Sequence, residues 1–310
     1  MTHPLKIGIE LPIAEDKGRV GVPRWTDIAA MARRAEEAGF DSVWVEDHLL
    51  FRYPEYPERP PQGVWDGWSM LSAIAAVTER VEIGPLVACA SFRNPALLAK
   101  MADTVDEISN GRLILGLGAG WHEPEYQAFG FPFDHRVSRF EEALKIIHGL
   151  LHDGQIDFDG AYYQARECEL RPRGPRPQGP PILLGTVGER MLRLTAEYAD
   201  LWNAYFSHIG NDPSGVPALR ERVDAACLAV GRDPATLGRT AAVLVNMAAS
   251  PGAALAPNWE IEPIQGAPEQ LADTMRAFSA QGIDHIILWL EPNTLESIEA
   301  FAPTLELLRD

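Results

Sequence analysis

The stretch RLILGLGAGWHEPEY, residues 112–126, carries the signal that decides the fold of this 310-residue chain. Its apolar start, residues 113–117, predicts a buried β-strand, and the glycines that follow let a backbone approach a ligand closely. The glycine spacing resembles a dinucleotide-binding loop, but Trp121 stands where the third glycine of G-x-G-x-x-G would be. The stretch therefore predicts a strand whose end opens a binding site.

Similar apolar or β-branched runs recur along the whole chain, and helical periodicity follows each of them. The predicted strands cover residues 7–11, 42–46, 81–88, 113–117, 182–185, 201–204, 242–247 and 285–290. Eight β–α units in a chain of this length predict an α/β fold, the TIM (β/α)8 barrel. A doubly wound sheet is the alternative, but such a sheet rarely needs eight units.

Capping residues mark several of the intervening helices. Asn94-Pro95 predicts a helix start, and Gly111 predicts the end of that helix. Gly266-Ala-Pro268 predicts the start of another helix.

Three segments do not fit the repeat, and we interpret them as insertions in a single domain that spans residues 1–310. They lie at about residues 50–67, 153–180 and 248–265. The first is rich in proline and aromatic residues, and we expect it to shape an apolar substrate pocket or simply to pin the loop to the barrel. The second contains a predicted hairpin around Asp159-Gly160, followed by a proline-rich run.

Composition excludes several classes of function. The chain carries 27 basic and 44 acidic residues, a net charge of −17, so nucleic-acid binding is not expected. No apolar run reaches the length of a membrane span, and the amino terminus lacks the layout of a signal peptide. Three scattered cysteines without a CxxC pair favour a reducing environment, so we expect a cytoplasmic protein. A metal-hydrolase barrel is disfavoured, because strand one ends in Glu10-Leu-Pro and lacks His-x-His.

In a TIM barrel the active site lies where the strands meet the loops that follow them. That rule selects residues 46–48, 89–93, 118–123, 185–190, 205–208 and 291. Asp47-His48 is the best acid/base candidate, since imidazole titrates near neutrality and a carboxylate beside it can fix its tautomer. The alternative is that Asp47 caps a loop and His48 packs.

The other strand ends offer weaker signals. The run Gly185-Thr-Val-Gly-Glu-Arg190 leads from a strand into a helix, whose free N–H groups predict a phosphate site or else an ordinary turn. Trp121 is interpreted as a stacking surface or a pocket wall. His122 and Glu123 are interpreted as a solvated loop, with a catalytic role as the alternative. Cys89 is predicted to be a buried thiol, because no histidine lies near it in sequence.

These segments together resemble the luciferase-like family of flavin- and deazaflavin-dependent oxidoreductases. The matching segments are 35–48, 78–121, 180–205, 266–275 and 282–290. The Val-x-Asp-His form at residues 45–48 resembles the branch that depends on coenzyme F420. The resemblance implies a barrel with insertions that holds its tricyclic cofactor in the carboxyl-terminal mouth.

The resemblance also implies residue roles. Asp47 would contact the deazaflavin, and His48 would transfer a proton. A bulge of the third strand with a non-prolyl cis peptide would lie near Leu86-Val87, behind the ring. The cofactor would further be lined by Cys89, Ala119 and Gly120, and its phosphate bound by Gly185, Thr186, Val187, Gly188, Arg190 and Met191. A homodimer is expected because the family usually dimerises.

The substrate side departs from the F420-dependent sugar-phosphate dehydrogenases. Trp121 replaces their second acid/base glutamate, Arg52 replaces a tryptophan, and His208 stands near their phosphate-binding lysine. Glucose 6-phosphate is therefore disfavoured, and Trp121, Tyr205 and His208 are expected to line a pocket for another small molecule. The leading hypothesis is F420-dependent hydride transfer. The alternatives are a two-component FMN monooxygenase served by a separate reductase, and a non-catalytic flavin-binding protein.

Overall fold

A computed structural model describes residues 5–15, 21–247 and 261–309. Eight parallel strand positions form one curved sheet, with the order β3–β2–β1–β8–β7–β6–β5–β4. The strands are β1 Lys6–Glu10, β2 Ser42–Val45, β3 Glu82–Pro85, β4 Leu115–Gly118, β5 Ile182–Gly185, β6 Leu201–Ala204, β7 Gly238–Asn246 and β8 His285–Glu291. This arrangement confirms the predicted TIM barrel.

The third strand closes the barrel in two pieces. β3 pairs with β2, and its continuation Ala88–Cys89 pairs with β4 after an interruption at the cis peptide Leu86-Val87. A parallel bridge between Ile83 and Leu113 joins the two edges. The strand predicted over residues 81–88 is therefore divided, and the bulge that divides it lies where the resemblance implied one. The cis bond itself lies where the resemblance implied.

Two other strand boundaries differ from the sequence prediction. β4 begins at Leu115, because Leu113 contributes only the isolated bridge. β7 begins at Gly238, four residues before the predicted start, since its first residues pair with β6 from Leu201 onward. Hydropathy does not reveal this extension, because Arg239 and Thr240 are polar.

Side chains fill the barrel interior in layers. At one level Ser42 Oγ lies 2.7 Å from His285 Nε2 and accepts the indole N–H of Trp44, also at 2.7 Å. The next level is apolar and consists of Trp44, Ile114, Leu183 and Ile287. The larger core lies outside the barrel, between the sheet and the helices.

The helices surround the sheet, and the predicted caps are confirmed. They are α1 Trp25–Ala38, α2 Gly67–Val77, α3 Pro95–Ile108, α4 Glu123–Phe129, α5 Arg136–Asp153, α6 Glu189–Tyr198, α7 Phe206–Ile209, α8 Val216–Ala229, α9 Pro268–Ala280 and α10 Leu295–Arg309. The Asn94 side chain accepts the N–H groups of Ala96 and Leu97 at the start of α3. Among the described residues, no helix is both long and apolar enough to cross a lipid bilayer.

The predicted insertions elaborate the loops. A hairpin pairs Gln155–Asp159 with Gln164–Glu169, which confirms the turn at Asp159-Gly160. A shorter pair, Leu50–Phe51 with Gln62–Gly63, lies in the aromatic loop after β2. Of the predicted insertion at 248–265, residues 248–260 lie outside the described residues.

Candidate active site

Asp47 follows β2 at the mouth of the barrel and is almost completely buried. Its Oδ2 accepts the backbone N–H of Cys89 at 3.0 Å and Arg93 Nη1 at 2.7 Å. Its buried Oδ1 has no hydrogen-bond partner among the described residues. Burial raises the pKa of Asp47, and Arg93 opposes that rise. Asp47 is therefore a carboxylate in the mouth of the barrel. One of its oxygens is held by hydrogen bonds, and the other is available to a ligand.

His48 is held in one orientation by Glu125 of α4. His48 Nδ1 lies 2.8 Å from Glu125 Oε1, while Glu125 Oε2 accepts the N–H of Leu49 at 2.9 Å. Burial alone would lower the pKa of His48, but the hydrogen bond to Glu125 and the nearby carboxylates outweigh it and raise the pKa. Because Nδ1 is engaged, Nε2 is the ring nitrogen that can exchange a proton with a ligand.

Aromatic rings surround His48. Its ring centroid lies 4.4 Å from that of Phe51 and 5.6 Å from that of Trp121, which meets it edge-on. Trp121 is 59% exposed, so it forms a rim of the mouth and does not belong to the core. The structure thus brings His48 and Trp121 together, as the strand-end rule predicted.

The interpretation of residues 122–123 as a solvated loop is wrong for His122. This side chain is buried, and its Nε2 accepts the backbone N–H of Arg52 at 3.1 Å. Burial lowers the pKa of His122, so the neutral ring is favoured, as an acceptor requires. His122 therefore fixes the loop that follows β2 to the start of α4. Glu123 is exposed, as predicted.

Cys89 and Tyr126 line the same side of the mouth. Cys89 Sγ lies 2.9 Å from Tyr126 Oη, which also donates to the Ala119 carbonyl at 3.1 Å. Burial raises the pKa of Cys89 to about 12, which favours the protonated thiol at neutral pH. Gly120 has φ +76°, and a Cβ there would meet the Tyr126 hydroxyl and lie 2.7 Å from Cys89 Sγ.

The glycines of β4 have a different role from the predicted one. A Cβ on Gly118 would lie 2.7 Å from Val87 Cγ2, and a Cβ on Gly116 would meet the Pro85 carbonyl. Both glycines therefore make room for the bulge of the third strand. Gly185 on β5 lies on the other side of Val87, with its Cβ position 3.7 Å from Cγ1.

Only some residues of the predicted phosphate-binding loop lie at a common site, the N-terminus of α6. Gly188 is the N-cap of α6, no side chain caps it, and the space at its Cβ position is open. Thr186 and Val187 lead to it, with their carbonyls held by Trp202 Nε1 and Arg222 Nη2. This geometry leaves the first N–H groups of α6 available to an anion.

Two residues of the predicted phosphate set point elsewhere. Arg190 donates to Glu141 Oε2 at 2.9 and 2.6 Å and to Ser138 Oγ at 3.0 Å, so its guanidinium is bound to α5. Burial alone would raise the pKa of Glu141, but its hydrogen bonds to Arg190 and Lys145 lower it to about 2. Met191 packs in the core. Neither side chain contributes to an anion site in this arrangement.

Tyr205 and His208 follow β6 at the opposite side of the mouth. Their ring centroids lie 6.3 Å apart, and Tyr205 also meets the indole of Trp289 from β8 at 6.2 Å. Burial and the charges of Glu10 and Glu46 raise the pKa of Tyr205 well above its ordinary value, so it remains a neutral hydroxyl.

Sequence reasoning missed two groups that the structure places in the site. Glu125 binds His48, and Glu10 lies buried at the end of β1. Arg93, which binds Asp47, belongs to the selected range 89–93, but no role was predicted for it. Glu125 and Arg93 come from segments far along the chain, and no local spacing pairs them with residues 47 and 48. Glu10 was detectable from its strand-end position.

A comparison with protein families matches residues 5–260 to the family described as luciferase-like monooxygenase. The chain therefore belongs to this family of F420- and flavin-dependent oxidoreductases. The matching region covers most of the barrel and includes every strand end from β1 to β7.

Relatives in this family include several with named activities. The chain is 31% identical over 211 residues to the 5,10-methylenetetrahydromethanopterin reductase of Archaeoglobus fulgidus, covering 67% of this chain and 57% of the relative. It is 33% identical over 213 residues to the F420-dependent glucose-6-phosphate dehydrogenase of Amycolatopsis mediterranei, covering 64% and 60%. It is 31% identical over 179 residues to the pyrimidine monooxygenase RutA of Yersinia enterocolitica, covering 54% and 47%. The matched regions thus span less than two thirds of these relatives' own lengths.

Solved structures share the fold over nearly the whole chain. An F420-dependent secondary alcohol dehydrogenase in complex with an F420-acetone adduct superimposes with a TM-score of 0.80 at 20% identity, covering 99% of this chain and 100% of that one. The monooxygenase RslO1 from Streptomyces bottropensis gives 0.77 at 19% identity, covering 99% and 100%. At these identities the likeness shows the barrel fold.

Proposed function

We propose that this protein is an F420-dependent oxidoreductase that moves a hydride to or from a small organic substrate, with His48 as the proton donor or acceptor. The observation that carries the proposal is the His48–Glu125 pair at the end of β2. It presents one ring nitrogen to the mouth and raises the pKa of the imidazole. A proton must be exchanged when a carbonyl, an alcohol or an activated double bond changes oxidation state, and this ring is placed to do so.

The residues around the mouth fit a flat, anionic cofactor. Asp47 offers a buried oxygen without a partner among the described residues, which suits a ring N–H or hydroxyl donor. Val87 projects from the bulge, and Cys89 and Gly120 form a compact wall beside it. The open N-terminus at Gly188 suits a phosphate of the cofactor tail. F420 would supply the hydride-carrying carbon, while these residues bind and orient its ring.

The aromatic rings around His48 would exclude water from the mouth of the barrel. Phe51 and Trp121 stand against His48, and Tyr53 stacks on Phe51 with ring centroids 6.3 Å apart. A dry mouth strengthens the electrostatic effect of His48 on a reacting oxygen or nitrogen. The relative named as an F420-dependent dehydrogenase supports this cofactor. The relative named as a pyrimidine monooxygenase supports the alternative, an FMN-dependent monooxygenase.

The first test is titration of the purified protein with F420 and, separately, with FMN, followed by fluorescence quenching. We expect F420 to bind at least about tenfold more tightly than FMN. His48→Gln should retain F420 binding, because the ring nitrogen is replaced by a polar amide, but should reduce turnover of an enone or alcohol by about 100-fold or more.

A matched control is Glu123→Gln, which changes an exposed residue on the same helix as Glu125. This variant should leave F420 binding and turnover unchanged. Tighter binding of FMN together with oxygen consumption would replace the proposal with the monooxygenase alternative. Binding of neither cofactor would overturn the assignment of the mouth as a cofactor site.

A further inference from the structure

Glu10 and Glu46 face the same interior space at the mouth of the barrel. On β1 Gly8 faces inward, because a Cβ on it would lie 2.9 Å from Trp44 Nε1 and 3.1 Å from His285 Nε2. Side chains alternate along a strand, so Glu10, two residues further on, also faces inward. On β2 the side chain of Trp44 packs inside the barrel. Because side chains alternate, Glu46, two residues further on, also faces inward, at the mouth.

No lysine or arginine within the described part of the chain forms an ion pair with either carboxylate. Glu10 is only 4% exposed, and no hydrogen bond or ion pair reaches its side chain from the described residues. Glu46 is partly buried and likewise has no lysine or arginine partner there. Burial raises the pKa of Glu10 well above its ordinary value, and the negative charge of Glu46 adds to that rise. Burial raises the pKa of Glu46 too, and the charge of His48 opposes that rise. Buried carboxylates are normally paired, so Glu10 without a hydrogen-bond partner beside a second carboxylate marks a place that suits a cation.

Aromatic rings stand beside the two carboxylates. The register of β1 against β8 pairs Ile9 with Leu288, which puts Glu10 level with Trp289. The rings of Trp289 and Tyr205 lie 6.2 Å apart at 73°, so they form two walls at nearly a right angle. Carboxylates combined with aromatic faces are the environment that organic ammonium groups prefer in proteins.

We propose that the mouth selects substrates that carry a positively charged nitrogen, and that Glu10 and Glu46 are the residues that determine this specificity. The proposal rests on the proposed function, because it names the substrate class of the same site. An organic cation fits better than a metal ion, since no cluster of three or more metal-ligating side chains occurs within residues 5–15, 21–247 and 261–309. Tyr205 and Trp289 would contact the alkyl groups around the nitrogen.

The test compares choline with 3,3-dimethyl-1-butanol, which has the same shape and no charge. Binding of each compound is measured by ligand-observed NMR titration, with the protein alone and with F420 added. We expect choline to bind at least about tenfold more tightly than the alcohol. Glu10→Gln and Glu46→Gln should each weaken choline binding about tenfold and leave the alcohol unaffected.

The control is Glu221→Gln, which removes an equal charge from the exposed face of α8 and should change neither compound's binding. Glu10→Gln should fold normally, because it removes an unpaired buried carboxyl, and thermal unfolding checks this. Equal binding of the two compounds, or choline binding that survives both mouth substitutions, overturns the cation proposal. F420 quenching on the same samples tests the cofactor separately, so F420 binding without choline preference leaves the proposed function standing.

Discussion

Glu125 holds both the side chain of His48 and the backbone beside it. Its Oε1 lies 2.8 Å from His48 Nδ1, and its Oε2 accepts the Leu49 N–H at 2.9 Å. Because an ionised carboxylate only accepts hydrogen bonds, the proton in the first bond belongs to Nδ1. Glu125 therefore sets which ring nitrogen faces the mouth, and α4 transmits the position of the strand-four loop to the proposed acid/base group, His48.

Glu125→Gln should lower the pKa of His48, since it removes the negative charge that favours the imidazolium. The pH dependence of kcat/KM should then shift to lower pH on the limb that His48 controls, with about a tenfold loss of activity at the optimum. The measurement is a pH profile of F420 turnover in both proteins. An unshifted limb would show that His48 does not control it.

Gly120→Ala should impair the site far more than Gly130→Ala. Both glycines have nearly the same positive φ, +76° and +77°, so the backbone cost of a side chain is matched. At Gly120 the new methyl group would meet the Tyr126 hydroxyl and Cys89, whereas at Gly130 it would meet nothing within 4 Å. We expect Gly120→Ala to cost about 2 kcal/mol more in the free energy of unfolding. F420 binding should weaken in the first variant alone.

His285 should make the barrel sensitive to acid. Burial lowers the pKa of His285 to about 3, with a smaller effect from Lys6. The unfolded chain takes up this proton near pH 6.5 and the folded chain does not, so this residue's contribution to stability is lost as pH falls from about 6.5 toward 3.

Urea unfolding at pH 7 and pH 4 measures that contribution. Between pH 7 and pH 4 the free energy of unfolding should fall by about 3 kcal/mol more in the wild-type protein than in His285→Gln, because glutamine does not titrate. Ser42→Ala keeps the titrating ring and provides the control, since it removes the 2.7 Å contact with His285 and the acceptor of the Trp44 indole N–H but leaves the histidine in place. An equal loss in wild type and His285→Gln would mean that carboxylates elsewhere account for acid unfolding.

Arg112 should be a major determinant of stability. Its guanidinium donates to the carbonyls of Ala75, Thr78, Val81 and Ser109 at 2.7–2.8 Å, and so joins the ends of α2 and α3 to β3. Arg112→Met should lower the free energy of unfolding by about 3 kcal/mol, since four buried acceptors lose their donor.

Arg112→Lys should recover less than half of that loss, because one ammonium cannot reach acceptors on three elements. Arg34→Met removes only exposed ion pairs with Glu37 and Glu299 and should cost at most about 1 kcal/mol. Chemical denaturation of the three variants gives the comparison. Similar losses for Arg112→Met and Arg34→Met would contradict the assigned role.

Local sequence was sufficient for features that depend on a few neighbouring residues. Asn94 caps α3 as predicted, the Asp159-Gly160 turn closes its hairpin, and the strand ends deliver Asp47 and His48 to the mouth. Local sequence misled where contacts came from another strand. Gly116 and Gly118 suggested close approach to a ligand, yet they accommodate Pro85 and Val87 of the neighbouring strand.

The sequence by itself determined the barrel, the family and the strand-end positions of the candidate residues, because hydrophobic periodicity and caps act over a few residues. Only the tertiary structure decided which of those residues meet. It joined His48 to Glu125 across 77 positions of the chain and bound Arg190 to Glu141 on the outer helix. It also brought Glu10 and Glu46 close enough to interact, with no lysine or arginine partner among the described residues. These outcomes depend on strand register and helix packing, which bring distant side chains together and which no local pattern specifies.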